Sequence, residues 1–261
     1  MHLWPTNSEH GLTYHLQGAD GGVLAIDAGN TRIKGGLFVG GQLQAVWHSS
    51  AREFDACIVP AAVERAVACS VGYPEDELIR WGVERGISEV KIVRAEDPLP
   101  FESDYKTPQT LGSDRKMMVH AANVLYPGVP RLVVSVGTCI TYDLITRQNR
   151  HLGGFITPGL PMRWQAMHTG TGRLPWVGAP DLACQPTGAG VDTISAMQWG
   201  VVLAIRHEIR GFWSEFKERE RGSGACQLII TGGDATFFEM NAEERIFAEP
   251  NLALIGLHAF M

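Results

Sequence analysis

The sequence Asp27-Ala28-Gly29-Asn30-Thr31-Arg32-Ile33-Lys34 decides the fold, because it forms a short polar turn between two apolar runs. The run before it, residues 23–26, and the run after it, residues 33–39, are rich in aliphatic residues that favour β-strands. Gly40-Gly41 closes the second run. The stretch therefore predicts a strand, a tight turn and a second strand.

The turn itself carries groups suited to binding an anion. Gly29 lets the backbone approach a bulky ligand, and Asn30, Thr31 and the exposed amides can donate hydrogen bonds to phosphate oxygens. Asp27 offers the hard oxygen ligands that suit a magnesium ion, usually through water. Lys34 adds a positive charge nearby. An ordinary Asx-type β-turn would explain the same residues, so this turn alone leaves both interpretations open.

A similar pattern recurs one hundred residues later in the chain. The apolar residues 131–136 end in Gly137-Thr138, a second strand is predicted at 139–146, and a third at 151–156. This repeats the order of residues 23–49, where a third antiparallel strand is predicted at 42–49. The repeat predicts two similar lobes whose small-residue turns hold nucleotide phosphates. Two unrelated β-turns remain the alternative.

The segments after the first hairpin predict an α/β lobe. A helix is expected at 54–68, a short strand at 69–72, a helix that begins at residue 75 and is closed by Gly86, and a strand at 89–93. Three strands followed by alternating helices and strands are typical of an α/β fold with a mixed sheet.

Asp114 and Arg115 are charged residues at the start of a predicted helix. Asp114 follows a proline-interrupted loop at 97–112 and opens the helix, which runs to residue 125. Ser113 or Asp114 could simply cap that helix, and Arg115 could be a surface charge. On these residues alone, the structural interpretation of Asp114 as a helix cap or first-turn acid is favoured.

The last third of the chain predicts two further features. A long helix begins near residue 191, contains Thr193 in its first turn and reaches about Arg219. A strand at 227–230 ends in Gly232-Gly233, where a flat adenine or ribose ring could lie against the backbone. We expect a closing helix at 252–260, and three regions: an extension at 1–22, a first lobe at 23–127 and a second lobe at 128–261.

Composition narrows the classes of function. The net charge is −6 and no basic cluster of one sign exists, which argues against nucleic-acid binding. The five cysteines are scattered, as expected in a reducing cytoplasm. No run approaches the roughly 18 apolar residues of a membrane span. The first 22 residues lack the features of a signal peptide, and the dispersed histidines predict no zinc site.

Six segments, taken together and in order, resemble the type III pantothenate kinases, bacterial members of the acetate and sugar kinase, Hsp70 and actin superfamily. The resemblance implies two similar α/β lobes of the actin-like, ribonuclease H-like fold, with mixed β-sheets flanked by helices. The matching segments are residues 27–34, 105–115, 136–143, 153–159, 192–200 and 231–235.

The resemblance also implies ATP-dependent phosphorylation of pantothenate to 4'-phosphopantothenate, the first step of coenzyme A biosynthesis, by a homodimer that uses Mg²⁺. Asp114 would accept the proton of the attacking hydroxyl, and Asp27 would help to hold magnesium. The expected pantothenate-binding residues are Tyr105, Gly112, Ser113, Asp114, Arg115 and, from the partner subunit, Thr193. The expected ATP-binding residues are Asp27, Ala28, Gly29, Asn30, Thr31, Arg32, Ile33, Lys34, Gly137 and Thr138, joined by Gly232 and Gly233 of the turn described above.

One position departs from the family pattern. Many members carry an aspartate that binds an activating monovalent cation, K⁺ or NH₄⁺, where this chain has Ser135. A neutral hydroxyl is a poorer cation ligand, so weak or absent activation by potassium is expected. Two rival functions remain open: a kinase for another small hydroxy substrate, and a nucleotide-binding regulator without kinase activity. The lack of a G-x-x-x-x-G-K-[ST] segment excludes a P-loop kinase.

Overall fold

The computed structural model describes residues 22–30, 32–50, 52–54, 63–181, 189–238 and 246–261, which form two compact units. The first unit runs to Pro127 and also contains Asn251–Met261, and the second unit is Gly128–Pro250. The proposed N-terminal extension lies outside the described residues, except for Gly22, which begins the first strand.

Within its described residues, the first unit contains five strands and three α-helices. Its elements are β1 (Gly22–Ala28), β2 (Ile33–Val39), β3 (Gln42–Ser49), β4 (Val63–Ser70), α1 (Glu75–Glu84), β5 (Glu89–Val93), α2 (Ser113–Leu125) and, from the end of the chain, α5 (Leu252–Ala259). The strands form one sheet in the order β3-β2-β1-β4-β5. β1 is antiparallel to β2 and parallel to β4, so the polar end of β1 lies beside the end of β4.

The second unit repeats this arrangement. Its elements are β6 (Arg131–Val136), β7 (Cys139–Ile145), β8 (His151–Pro158), α3 (Leu160–Thr169), α4 (Thr193–Arg219), β9 (Gln227–Thr231) and β10 (Ile246–Ala248). The sheet order is β10-β9-β6-β7-β8, with β6 antiparallel to β7 and parallel to β9. The two sheets therefore have the same topology, and the predicted α/β class with two similar lobes and mixed sheets is confirmed.

Each unit encloses an apolar core of its own. In the first, Leu24 and Ile26 of β1 pack with Trp81 of α1. In the second, Val134 of β6 and Ile205 of α4 belong to one buried cluster. Burial of this apolar surface is the main driving force for forming each sheet with its helices.

The prediction of a helix at 54–68 is wrong over its second half, because Val63–Ser70 is strand β4. β4 lies inside the sheet between β1 and β5, and its residues 66–69 are fully buried. A strand covered on both faces shows a continuous apolar run instead of alternation, and this run contains Ala66 and Ala68, residues of high helix propensity. Residues 55–62 lie outside the described part of the chain.

The closing helix forms as predicted, but its place differs from the prediction, which put it in the second lobe. α5 packs against α2 and β1 of the first unit. Leu254 lies against Gly36, and Gly256 lies so close to the backbone of Met117 that a Cβ atom would collide with it. The helix is buried almost throughout, and together with α2 it packs against the sheet of the first unit.

None of the helices in the described part of the chain combines the length and the apolar character needed to cross a membrane.

Candidate functional site

Asp27 lies at the end of β1, where two neighbouring strands bring it two partners. The antiparallel register places it opposite Lys34 of β2, and the parallel register places it beside Cys69 of β4. The thiol of Cys69 donates a hydrogen bond to Oδ1 of Asp27, with an S···O distance of 3.6 Å. Burial and the negative charges of Asp27 and Asp114 raise the pKa of Cys69, so the thiol keeps its proton and remains a donor.

Asp27 and Asp114 are close enough to influence each other's charge. The pKa of Asp27 is raised from 3.8 to about 6, first by burial and second by the negative charge of Asp114. The hydrogen bond from Cys69 and the positive charge of Lys34 oppose this rise. Two carboxyl groups in a low-dielectric environment repel each other when both are ionised. The structure therefore brings together the two aspartates that the sequence singled out.

Asp114 reaches this position because α2 begins with a glycine at its cap. The N-cap residue is Gly112, and no side chain caps the helix, so the expectation that Ser113 or Asp114 caps it is wrong. A Cβ atom at residue 112 would lie 2.6 Å from Oδ1 of Asp114. Glycine is thus needed for the carboxyl group to fold back against the backbone. Ser113 is buried and donates a hydrogen bond to the carbonyl oxygen of Ser70, at 3.4 Å.

The β1–β2 turn is closed by its own backbone. The amide of Gly29 donates to the carbonyl oxygen of Arg32 at 3.0 Å. Asn30 packs against Gly72, where its side chain leaves no room for a Cβ atom. Arg32 is exposed, whereas Ala28 and Ile33 are buried in the sheet. Thr31 lies outside the described residues.

Arg115 and Tyr105 lie together beside the start of α2. The guanidinium carbon of Arg115 is 5.7 Å from the centre of the Tyr105 ring, within the range of a cation–π contact. Arg115 is only 5% exposed, although the sequence allowed it to be a surface charge. A buried guanidinium next to an aromatic ring is suited to recognising a carboxylate.

Three of the residues predicted for the second unit lie at the β6–β7 turn. Ser135 is partly buried near the end of β6, and the amide of Gly137 donates to the carbonyl oxygen of Cys139 at 3.1 Å. The carbonyl oxygen of Thr138 accepts a hydrogen bond from the amide of Gly159 at 3.0 Å. Gly159 must lack a side chain, because a Cβ atom would meet the carbonyl oxygens of Gly137 and Thr138.

The Gly232-Gly233 turn after β9 lies against the same end of β6. Gly232 has φ +99°, and a Cβ atom there would collide with the backbone of Val136. The amide of Asp234 donates to the carbonyl oxygen of Val136 at 3.0 Å. Within the second unit, the two glycine turns predicted to bind nucleotide are therefore neighbours.

Thr193 is the exposed first residue of α4. Asp192 caps this helix in a capping box, and its Oδ1 accepts a hydrogen bond from the Ser195 amide at 2.9 Å. Two turns further on, Gly200 faces open space. No contact within the described part of the chain therefore requires a glycine at this position.

The donor chemistry of Asp27 and Asp114 fits a magnesium ion held mainly by phosphate and water. Mg²⁺ commonly takes one or two carboxylates and completes its shell with substrate oxygens and water. The described residues contain no group of three or more His, Cys, Asp or Glu that could hold a metal by themselves. The pair of carboxylates is thus suited to a metal that arrives with a nucleotide.

Comparison with known proteins identifies the family. A family model for type III pantothenate kinase matches residues 23–215. The chain belongs to the type III pantothenate kinases. The type III pantothenate kinase of Flavobacterium johnsoniae is 35% identical over 241 residues, which cover 90% of this chain and 95% of that one. The type III pantothenate kinase of Phocaeicola vulgatus is 33% identical over 241 residues, with 91% and 97% coverage.

A solved structure supports the fold. The ethanolamine utilization protein EutJ from Carboxydothermus hydrogenoformans superposes with a TM-score of 0.52 at 12% identity, and the match covers 94% of this chain and 92% of that one. At this identity the likeness concerns the fold alone. This type III pantothenate kinase thus has the two-lobed actin-like fold that the sequence resemblance implied.

Two residues near the aspartates were missed in the sequence of this type III pantothenate kinase. Cys69 was considered only as one of five scattered cysteines, and Lys116, two residues after Asp114, received no role. Cys69 could have been found from the parallel pairing of β1 with β4, which aligns it with Asp27. Lys116 could have been noticed as a charged residue within the apolar side of α2, where it is completely buried.

Proposed function

We propose that this chain transfers the γ-phosphate of ATP to the primary hydroxyl of pantothenate, giving 4'-phosphopantothenate and ADP. The observation that carries this proposal is that the buried carboxyl group of Asp27 lies close enough to Asp114 for the charge of Asp114 to raise its pKa, in a member of the type III pantothenate kinase family. Phosphoryl transfer needs little covalent chemistry from a protein. It needs an aligned hydroxyl, a proton acceptor and groups that stabilise the negative charge on the transferred phosphoryl group.

Asp114 is the proton acceptor in this proposal. Its carboxyl group lies in the first turn of α2, where the positive end of the helix favours a negative charge. Gly112 leaves space for the carboxyl group, and Ser113 ties the helix start to the end of β4. A carboxylate held in this way can accept the hydroxyl proton as the oxygen–phosphorus bond forms.

Asp27 and the glycine turns bind the nucleotide. In the first unit, Asp27 would hold Mg²⁺, and the turn after β1 together with Lys34, which lies opposite Asp27 on β2, would contact phosphate oxygens. In the second unit, Gly137-Thr138 and Gly232-Gly233 contribute backbone to ATP binding. When bound there, Mg²⁺ would neutralise part of the phosphate charge.

Pantothenate binds along the start of α2. Its carboxylate needs a positive partner, and Arg115, buried against Tyr105, supplies one. Beside Arg115, the backbone and side chains of Gly112, Ser113 and Asp114 complete this surface. This arrangement favours an acidic substrate over a neutral sugar.

The active form is a homodimer in which Thr193 of the partner subunit completes the pantothenate site. Thr193 is exposed, and its neighbours Val191 and Ile194 are 94% and 52% exposed. The same face of α4 carries small exposed residues, Ala196, Gly200 and Ala204, which allow close approach of a second helix. Exposed apolar side chains beside a small-residue helix face are typical of an interface. A cytoplasmic location agrees with the scattered cysteines.

A coupled assay of ADP release with and without pantothenate tests the proposed activity. We expect ADP release to require both pantothenate and Mg²⁺, with a phosphomonoester of pantothenate as product. A panel of small alcohols, sugars and hydroxy acids serves as the control. Turnover that prefers another acceptor would reveal a kinase of different specificity, and nucleotide binding without any turnover would indicate a regulator.

A further inference from the structure

Lys116 forms an unusual contact on the far side of the helix that carries Asp114. It lies in the first turn of α2 and is 0% exposed. Its Nζ donates hydrogen bonds to three backbone carbonyl oxygens, those of Arg94 at 2.7 Å, Ala95 at 3.1 Å and Asp97 at 2.7 Å. All three protons of an ammonium group can be used in this way, so the side chain fills a cage of carbonyl oxygens.

The cage belongs to an ordered turn after β5. Asp97 Oδ2 accepts from the Arg94 amide at 2.8 Å, and the Arg94 side chain pairs with Glu75 at 2.8 Å. Burial lowers the pKa of Lys116, while Asp97 and Glu96 favour its charged form. A buried ammonium costs desolvation energy unless its hydrogen bonds are well made. Here the hydrogen bonds to the three carbonyl oxygens compensate for the desolvation of the Lys116 ammonium.

The geometry of the helix links this cage to the aspartates. Residues two apart on an α-helix point in different directions, so Asp114 lies on a different side of α2 from Lys116, which reaches the turn at 94–97. Ser113 ties the same helical turn to β4 through Ser70. The start of α2 is therefore held on two sides, and a rotation of this turn would displace the carboxyl group of Asp114.

We propose that Lys116 is a positioning residue: its ammonium acts as a built-in cation that locks the turn at 94–97 onto α2 and thereby fixes Asp114 and Arg115. This inference rests on the proposed kinase function. Removal of the side chain leaves a cage of three carbonyl oxygens with room for a small cation. Such a cage accepts ammonium or methylammonium as hydrogen-bond donors.

The test is chemical rescue of Lys116→Ala in the full-length protein. We expect kcat with pantothenate to fall about 10- to 100-fold, because small displacements of catalytic groups cost this much. Ammonium or methylammonium should restore part of kcat, whereas tetramethylammonium at equal ionic strength should not. Lys91→Ala is the matched control, since the Nζ of Lys91 contacts one carbonyl oxygen, that of Phe260, at 3.2 Å. Neither this variant nor the wild type should show the rescue.

The thermal midpoint measured without substrates separates this inference from the proposed function. Ammonium should raise the midpoint of Lys116→Ala more than that of the wild type, even if the wild type phosphorylates no pantothenate. Lys116→Met fills the space without a charge, so its kcat should fall and ammonium should not restore it. If Lys116→Ala does not fold, the kcat of Lys116→Met tests the inference in its place. Unchanged kcat and KM in folded Lys116→Ala or Lys116→Met would overturn the inference. A rescue of stability without a rescue of kcat would also overturn it.

Discussion

The thiol of Cys69 and the carboxyl group of Asp27 are joined by a hydrogen bond between the ends of two parallel strands, with 3.6 Å between Sγ and Oδ1. Cys69→Ala removes this donor, and we expect kcat to fall about two- to tenfold, the range of one modest hydrogen bond. Cys69→Ser keeps a donor and should retain most activity. Cys226→Ala, in the second unit, is the control. Equal kcat for Cys69→Ala and the wild type would show that the thiol does not help to orient Asp27.

Asp27 makes the stability of the nucleotide-free protein depend on pH. Its folded pKa of about 6 lies above the ordinary value of 3.8, so the folded state binds more protons between these values and loses stability as pH rises through them. Asp27→Asn removes this cost. Above pH 6 and without Mg²⁺ we expect the variant to unfold about 2–4 °C higher than the wild type, as a change of roughly 1 kcal/mol produces in a chain of this size.

The gain of Asp27→Asn should disappear as the pH falls below the ordinary value of 3.8, where the wild-type carboxyl group becomes protonated in both states. Differential scanning calorimetry from about pH 3 to about pH 8 measures this change. Glu89→Gln, which removes an exposed carboxylate from β5, is the control and should show no such pH dependence. A lower midpoint for Asp27→Asn at pH 7 would contradict the predicted repulsion with Asp114.

Asp114→Asn should fold and lose most of its turnover. A missing proton acceptor typically costs about 10²- to 10⁴-fold in kcat. Because the change removes a charge that repels Asp27, the thermal midpoint should not fall. Asp76→Asn is the matched control, since Asp76 is an acid in the first turn of α1. Near-normal turnover in Asp114→Asn would remove this residue from the mechanism.

Ser135 should make the enzyme insensitive to potassium. With a hydroxyl where many family members have a carboxylate, we expect similar kcat in sodium and potassium buffers. Ser135→Asp should introduce activation by K⁺ or NH₄⁺, because a carboxylate is the better ligand for a cation. Initial rates at constant ionic strength measure both effects. A steep rise of wild-type activity on adding potassium would refute this expectation.

Thr193 can be tested by mixing two inactive variants. If Thr193 serves the partner's site, a dimer of Thr193→Ala with Asp114→Asn has one site with both wild-type residues. An equimolar mixture that exchanges subunits should then recover about a quarter of wild-type activity, as expected for a two-fold symmetric dimer. Each variant alone should stay nearly inactive. No recovery in dimers shown to have exchanged would mean that Thr193 acts within its own subunit or not at all.

The hairpins and the glycine turns between their strands could be predicted because their signals are local. The glycine turns, the alternation in β3 and the proline-rich loop before α2 each depend on neighbours in sequence. β4 was mistaken for a helix because its buried run shows no alternation and contains alanines. The cap of α2 was also mistaken, since Gly112 takes the position expected for Ser113 or Asp114.

The sequence by itself determined the family and the two repeated strand–turn–strand units, and it singled out Asp27 and Asp114 as candidates. These results follow from motif order and short-range backbone preferences. Only the tertiary structure decided that α5 joins the first unit, that Cys69 contacts Asp27 and that Lys116 is enclosed by carbonyl oxygens. These contacts join residues 19 or more positions apart. Their formation depends on how strands and helices pack, which local sequence patterns do not encode.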